Sequence, residues 1–202
     1  MIKLLNSLPK KLTVALSGGV DSMALLDFLS RKHDVNAAFF HHGTENSAKA
    51  WEFVSSFCEQ RKINLKTGLI GSPDRKKGQS KEEHWREQRY TFLSSCETVV
   101  TGHNLDDCVE TWVWSSLHGT PKLIPYSRGN VLRPLLCTRK AKLIEWCQKN
   151  NVPWVEDQSN TDTKYTRNFI RHELMGGILK VNPGIHKLIH KKIVEKYTIS
   201  QK

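Results

Sequence analysis

The chain has 202 residues, 38% of them hydrophobic and 25% charged, with a formal net charge of +11. This length and composition suit one globular domain with a core of ordinary size and exclude wholesale disorder. No apolar run approaches the roughly 18–20 residues that span a bilayer, and the first residues lack the apolar stretch and small-residue cleavage site of a secretory signal, so a cytoplasmic protein without membrane contact is expected.

Leu12 to Leu16 is an apolar run that ends in Ser17-Gly18-Gly19, which reads as a strand and a turn. Asp21-Ser22 then opens a helical pattern carried by Met23, Leu25, Leu26, Phe28 and Leu29. Val35 to Phe40 reads as a second strand, Ser47 to Arg61 as a helix, and Ile63 to Ile70 as a weaker strand. A loop from Gly71 to Gly78 carries the basic triplet Arg75-Lys76-Lys77. A helix over Ser80 to Ser95 follows, with Glu82 and Glu83 placed to suit its N-terminus. Thr98 to Thr101 is another short strand and Asp106 to Leu117 another helix. Strands alternating with helices predict an open parallel sheet with helices on both faces, whose ligands bind beyond the carboxyl ends of the strands. The loops after Leu16, Phe40 and Thr101 are therefore expected to converge.

After Gly119 the pattern breaks at Pro121, Pro125 and Pro134. Thr138 to Lys149 reads as a helix, as does Lys164 to Met175. Residues 176–202 read as a basic tail with a helix over Ile185 to Tyr197, leaving 1–175 as the main domain. The charge is uneven. Residues 1–119 hold 15 Lys and Arg against 14 Asp and Glu, and residues 120–202 hold 16 against 6. The second part therefore suits a polyanion, although a solvated basic face gives the same count. Lys187, Lys191 and Lys192 would then meet phosphate nonspecifically. The five cysteines, Cys58, Cys96, Cys108, Cys137 and Cys147, lack C-x-x-C spacing and read as reduced thiols.

Ser17-Gly18-Gly19-Val20-Asp21-Ser22 joins a strand to a helix. Glycines let backbone N–H groups approach an anion, the helix N-terminus adds positive partial charge, and two hydroxyls can donate. A tight turn capped by Asp21 and Ser22 is the plainer reading. The loop has no lysine and is not G-x-x-x-x-G-K-S/T. Its string resembles the pyrophosphate loop of the PP-loop, or N-type, ATP pyrophosphatases. That resemblance implies a Rossmann-like PP-loop ATPase fold and β,γ-phosphates of ATP seated on Ser17 to Ser22. His41, ending the second strand, and His103 fall at expected ATP-site loops. Asp106 and Asp107 are adjacent carboxylates at the same edge, a natural Mg²⁺ site together with Asp21. Helix capping by Asp106 is the plainer alternative, with Glu110 solvated one turn on.

Arg86-Glu87-Gln88-Arg89-Tyr90, Arg133-Pro134-Leu135-Leu136, Arg139, Ile144, Trp154, Asp157, Ser159-Asn160, Asp162, Tyr165, Arg167-Asn168 and Arg171 form an ordered string. With the loop, it resembles the tRNA(Ile)-lysidine synthase family from about Leu12 to Met175. The resemblance implies a ligase using ATP and Mg²⁺. It would adenylate C2 of the wobble cytidine of tRNA(Ile) with a CAU anticodon, then join free L-lysine there. Asp21, Asp106 and Asp107 would be catalytic, and Arg133, Arg139, Arg167 and Arg171 would meet tRNA or pyrophosphate. The chain departs from the family at Thr44-Glu45, where Leu-Arg is usual, and at Cys108, where Gln is usual. Another PP-loop tRNA modifier, such as a cytidine thiolase, is the nearest rival, and a non-catalytic ATP- or RNA-binding relative is the second. A zinc deaminase is disfavoured because H-x-E…P-C-x-x-C is absent. Trp112, Trp114, Trp146 and Trp154 suit base stacking or, at helical spacing, the core.

Overall fold

The computed structural model describes residues 1–71, 77–156, 162–164 and 166–198. Arg75, Lys76, Asp157, Ser159, Asn160 and Tyr165 lie outside the described residues.

Six strands form one sheet: β1 (Lys11–Leu16), β2 (Asp34–His41), β3 (Leu65–Leu69), β4 (Val99–Val100), β5 (Ser127–Arg128) and β6 (Val131–Leu132). Their order is β3-β2-β1-β4-β6-β5. All pairs are parallel except β5 with β6. The α/β fold class expected from the alternation is therefore present, with one antiparallel hairpin at the edge. The strand order runs outward from β1 in both directions, so the loops after β1 and β4 diverge and open a crevice between them. β1 is central and covered on both faces. Leu12, Val14 and Leu16 are buried on one face and Thr13 on the other.

The helices are α1 (Val20–Ser30), α2 (Glu45–Gln60), α3 (Lys81–Ser94), α4 (Leu105–Leu117), α5 (Lys140–Lys149), α6 (Thr166–Phe169), α7 (Met175–Val181) and α8 (Ile185–Tyr197). A π-helical turn, Ile170–Leu174, joins α6 to α7. Side chains start several of them. Thr44 accepts from the Ser47 N–H and Ser80 from the Glu83 N–H. At α4 the cap is Asn104, not Asp106: Asn104 Oδ1 accepts from the Asp106 and Asp107 N–H groups, and Asp107 Oδ2 accepts from the Asn104 N–H. α1 differs, because Gly19 caps it without any side-chain hydrogen bond.

α1 and α5 run side by side in parallel. Trp146 Nε1 donates to Asp27 Oδ2 at 3.0 Å, and Arg31 donates to Asn150 Oδ1 at 2.8 Å. Both helices therefore start at the same edge of the sheet. Phe28 meets Trp146 edge-on at 5.1 Å, so Trp146 is a core residue.

Residues 176–198 pack onto the domain and do not form a separate tail. Ile185, Ile189 and Ile193 on α8 are buried in a cluster with Leu105, Val109 and Val113 of α4 and Leu5 near the N-terminus. The isoleucines recur every four residues, which puts them on one helix face. The basic residues Lys187 and Lys191 occupy the exposed side. No helix among the described residues is long and apolar enough to cross a membrane.

Candidate active site

A cleft of about 730 Å³ opens at the crevice between β1 and β4. Its floor is the Ser17–Ser22 loop with Thr101, Gly102 and His103. Lys140, Ile144 and Gln148 of α5 form one wall with Trp154, Val155 and Glu156. Arg89, Tyr90 and Leu93 of α3 form the opposite wall. Arg167, Asn168, Arg171 and His172 close the remaining side.

The loop is shaped by its glycines. Gly18 has φ +81°, and a Cβ there would lie 2.8 Å from Val155 Cγ2. A side chain is thus excluded by backbone strain and by space. The Val155 N–H donates to the Gly18 carbonyl and holds the far wall against the loop. Ser22 Oγ accepts from the Ser17 N–H and donates to the Gly19 carbonyl. Gly102 approaches the start of α1 so closely that a Cβ would meet the Asp21 carbonyl carbon at 3.0 Å. The two loops therefore pack backbone to backbone around an uncapped helix N-terminus, an arrangement suited to an anion.

Three acidic side chains serve different ends. Asp21 Oδ1 is buried without a hydrogen-bond partner, and Oδ2 lies 3.9 Å from Lys140 Nζ. Burial pushes the Asp21 carboxyl up to about 6, opposed by Lys140 and reinforced by the nearby negative charge of Asp107. Asp107 accepts from Arg167 at 2.7 Å through Oδ1. Asp106 turns away from the cleft. It accepts from Arg139 Nε and from the Lys140 N–H, and lies 3.3 Å from His186 Nε2. The bonds from His186, Arg139 and the Lys140 N–H outweigh burial and hold its carboxyl well below the usual carboxylate range.

Glu110, solvated in the plainer sequence reading, is buried. It accepts from Arg167 Nε at 3.2 Å and from Arg171 Nε and Nη2 at 2.7 and 2.9 Å. Arg167 in α6 and Arg171 in the π-helical turn, four residues apart, both reach Glu110 on α4. His103 Nδ1 lies 2.9 Å from the Thr101 hydroxyl. Burial first, then Arg133, Arg167 and other guanidinium groups, hold its imidazole down to about 3, so it is neutral.

Of the residues singled out in the sequence, Ser17, Gly19, Val20, Asp21, Ser22, His103, Asp107, Arg167 and Arg171 line this cleft, and Gly18 shapes its loop. His41 does not line it; its Nδ1 accepts from the Gly43 N–H at 3.0 Å. Arg133 is buried, donating to the Pro125 carbonyl and the Tyr90 hydroxyl at 2.7 Å each. It braces α3 rather than facing a phosphate backbone. Arg139 is bound to Asp106 outside the cleft. Trp154 faces the cleft; Trp112 packs in the second core beneath Lys192. Lys140 and Glu156 were not singled out in the sequence, and Arg89 and Tyr90 only within the Arg86–Tyr90 stretch of the family resemblance, with no site role. Lys140 adjoins Arg139 at a helix start, the one sequence signal that pointed there.

A Mg²⁺ ion takes one or two carboxylates, waters and substrate phosphates. Asp21, with its unpartnered Oδ1, fits that requirement, and Asp107 lines the same cleft with its oxygens held by Arg167 and the Asn104 N–H. Asp106 does not fit, because it faces Arg139 and His186 outside the cleft. Among the described residues no three acidic, histidine or cysteine side chains gather as an all-protein cage.

The topology and the uncapped glycine loop define a Rossmann-like α/β protein with a glycine-rich strand-to-helix loop at the switch point of its sheet. The chain belongs to the PP-loop domain family, whose model matches residues 2–178, and membership implies use of ATP. Among curated relatives, the chain is 34% identical over 198 residues to the tRNA(Ile)-lysidine synthase of Thermotoga maritima, covering 89% of this chain and 48% of that protein. It is 32% identical over 206 residues to the tRNA(Ile)-lysidine synthase of Vibrio parahaemolyticus, covering 90% and 45%. The chain thus spans about half the length of the curated relatives it matches. Among solved structures, a U34-tRNA thiolase from Methanococcus maripaludis superposes with TM-score 0.70 at 16% identity, over 96% of this chain and 74% of that one. NMN synthetase from Francisella tularensis gives 0.55 at 15% identity, over 96% and 89%. These structures share the fold.

Proposed function

We propose that this chain is an ATP-dependent ligase that converts the wobble cytidine of tRNA(Ile) with a CAU anticodon to lysidine. The reading is carried by one conjunction. The chain is 32–34% identical to enzymes of that name, and its PP-loop, Asp21, Asp107, Arg167 and Arg171 share one cleft.

In this reading, the N–H groups that open α1 at Val20 and Asp21, with the Ser17 hydroxyl, seat the β,γ-phosphates of ATP, while Ser22 holds the loop through the Ser17 N–H and the Gly19 carbonyl. Asp21 and Asp107 would hold Mg²⁺, which supplies positive charge across the triphosphate. The cytidine C2 oxygen attacks the α-phosphorus, and the bond to the β-phosphate oxygen breaks to release pyrophosphate. The ε-amine of lysine then attacks C2, the C2–O bond breaks, AMP leaves and the amine gives up a proton. Arg167 and Arg171, within the same cleft, stabilise the charge that builds on the leaving pyrophosphate. The exposed lysines of α8 attract tRNA through its phosphates. None of the five cysteines lines the cleft, and Cys58, Cys108 and Cys147 are buried; this favours lysine transfer over thiolation.

The test is an assay with the full chain, Mg-ATP, radiolabelled lysine and a tRNA(Ile) transcript. Lysine should enter the CAU transcript, and incorporation should vanish with a UAU anticodon or with Asp21→Ala. ATP binding without lysine incorporation overturns the reading and directs attention to thiolation.

A further inference from the structure

The Ser17–Ser22 loop has no lysine of its own, and α1 starts without a side-chain cap. A cation for a bound triphosphate has to come from elsewhere. Arg167 and Arg171 offer two such charges from one side of the cleft, each fixed in place by ion pairs with Asp107 and Glu110. Arg89 lies against the Tyr90 ring, its guanidinium carbon 5.8 Å from the centroid.

Lys140 is placed differently. It is the first residue of α5, and the parallel packing of α5 on α1 brings both helix starts to the cleft floor. Its backbone is fixed from behind. Asp106 Oδ2 accepts from the Lys140 N–H at 2.7 Å, while the same carboxylate grips Arg139. Its ammonium reaches forward to 3.9 Å from Asp21 Oδ2, beyond hydrogen-bond length. The side chain is 38% exposed, and Lys140 is the one lysine among the described residues that lines the cleft. The backbone is thus anchored while the charged end remains able to turn.

Resting on the nucleotide-binding part of the function proposed above, we propose that Lys140 contacts the β- or γ-phosphate, with Asp106 as the residue that positions it. Lys140 thereby provides, from a neighbouring helix, the point charge that a Walker loop carries within its own sequence. Asp106 acts through the Lys140 backbone and does not touch the nucleotide. Its adjacency to Asp107 therefore joins two tasks: Asp107 faces the cleft, and Asp106 holds the helix that supplies its lysine.

The experiment measures equilibrium binding of ATP, inorganic pyrophosphate and AMP to the full chain by calorimetry, with Mg²⁺ and with chelator. Loss of one charge-assisted contact should weaken ATP and pyrophosphate by roughly tenfold or more in Lys140→Met. AMP should change by less than about twofold, and Lys140→Arg should recover most of the loss. Asp106→Asn should weaken ATP as well, and its effect should largely disappear in the Lys140→Met background. Circular dichroism reports whether each variant is folded. ATP and pyrophosphate binding unchanged in Lys140→Met overturns the proposal. So does an equal loss for AMP, or a parent chain that binds neither ATP nor pyrophosphate. A parent chain that binds ATP but makes no lysidine overturns the proposed function and leaves the role of Lys140 standing.

Discussion

Asp27 on α1 ties that helix to α5 through Trp146, and its removal tests the link. The side chain is 6% exposed. Oδ2 accepts from Trp146 Nε1 and from Arg31, both at 3.0 Å, and Oδ1 lies 3.6 Å from Arg61. Both arginines are about half exposed, so each pair contributes at most a few tenths of a kcal/mol. The indole bond matters more, because Asp27→Ala leaves a partly buried N–H without an acceptor, at a cost of about 1.5–3 kcal/mol. The sum is about 2–3 kcal/mol, equivalent to a fall in Tm of roughly 5–10 °C in a chain of this size. Urea denaturation of Asp27→Ala, Trp146→Phe and the double variant measures it. The cycle should give a coupling of about 1.5 kcal/mol. A loss below about 0.5 kcal/mol in Asp27→Ala, or strictly additive effects, would refute this account of how α5 is fixed to α1.

Three further outcomes follow from particular contacts. The Asp21 carboxyl titrates at about 6 in the folded chain against about 4 when unfolded. The folded state therefore binds this proton more tightly, and stability declines as pH rises from 4 to 6, by on the order of 2–3 kcal/mol. Asp21→Asn should thus be more stable than the parent at pH 7 in chelator, with the gap closing near pH 4; an equal difference in Tm at both pH values contradicts this. Gly102→Ala puts a methyl 3.0–3.1 Å from the backbone of Asp21 and Ser22, which cannot rotate away. It should cost about 1–3 kcal/mol and weaken ATP binding further than the unfolded fraction explains, so unchanged affinity by calorimetry would count against the close packing of the two loops. Ile189→Ala should cost about 2–4 kcal/mol in denaturant unfolding, because Ile189 is fully buried; a change within about 0.5 kcal/mol would return α8 to the status of an appended tail.

The sequence determined what depends on neighbours along the chain. Apolar runs and helical spacing placed β1, β2, α1, α2, α4 and α8 within a few residues. The glycine loop was legible because Gly18 and its φ of +81° serve a local turn. The string from Arg133 to Arg171 carried the family resemblance without any knowledge of which side chains face outward. The hairpin of β5 and β6 was not legible. Its strands have two residues each, too short to show alternation between Pro125 and Pro134.

Tertiary structure decided the roles of the charged groups. Asp106 and Asp107 are identical neighbours in sequence, but successive helix positions point about 100° apart; one turns to Arg139 and the other to the cleft. Arg133 reads like any phosphate-binding arginine until the Pro125 carbonyl and the Tyr90 hydroxyl are found around it. Glu110 reads as solvated until Arg167 and Arg171, some 60 residues on, fold over it. Lys140 owes its position beside Asp21 to the packing of two helices about 120 residues apart in sequence. Burial and partnership arise between distant segments, and a charge's task follows from them.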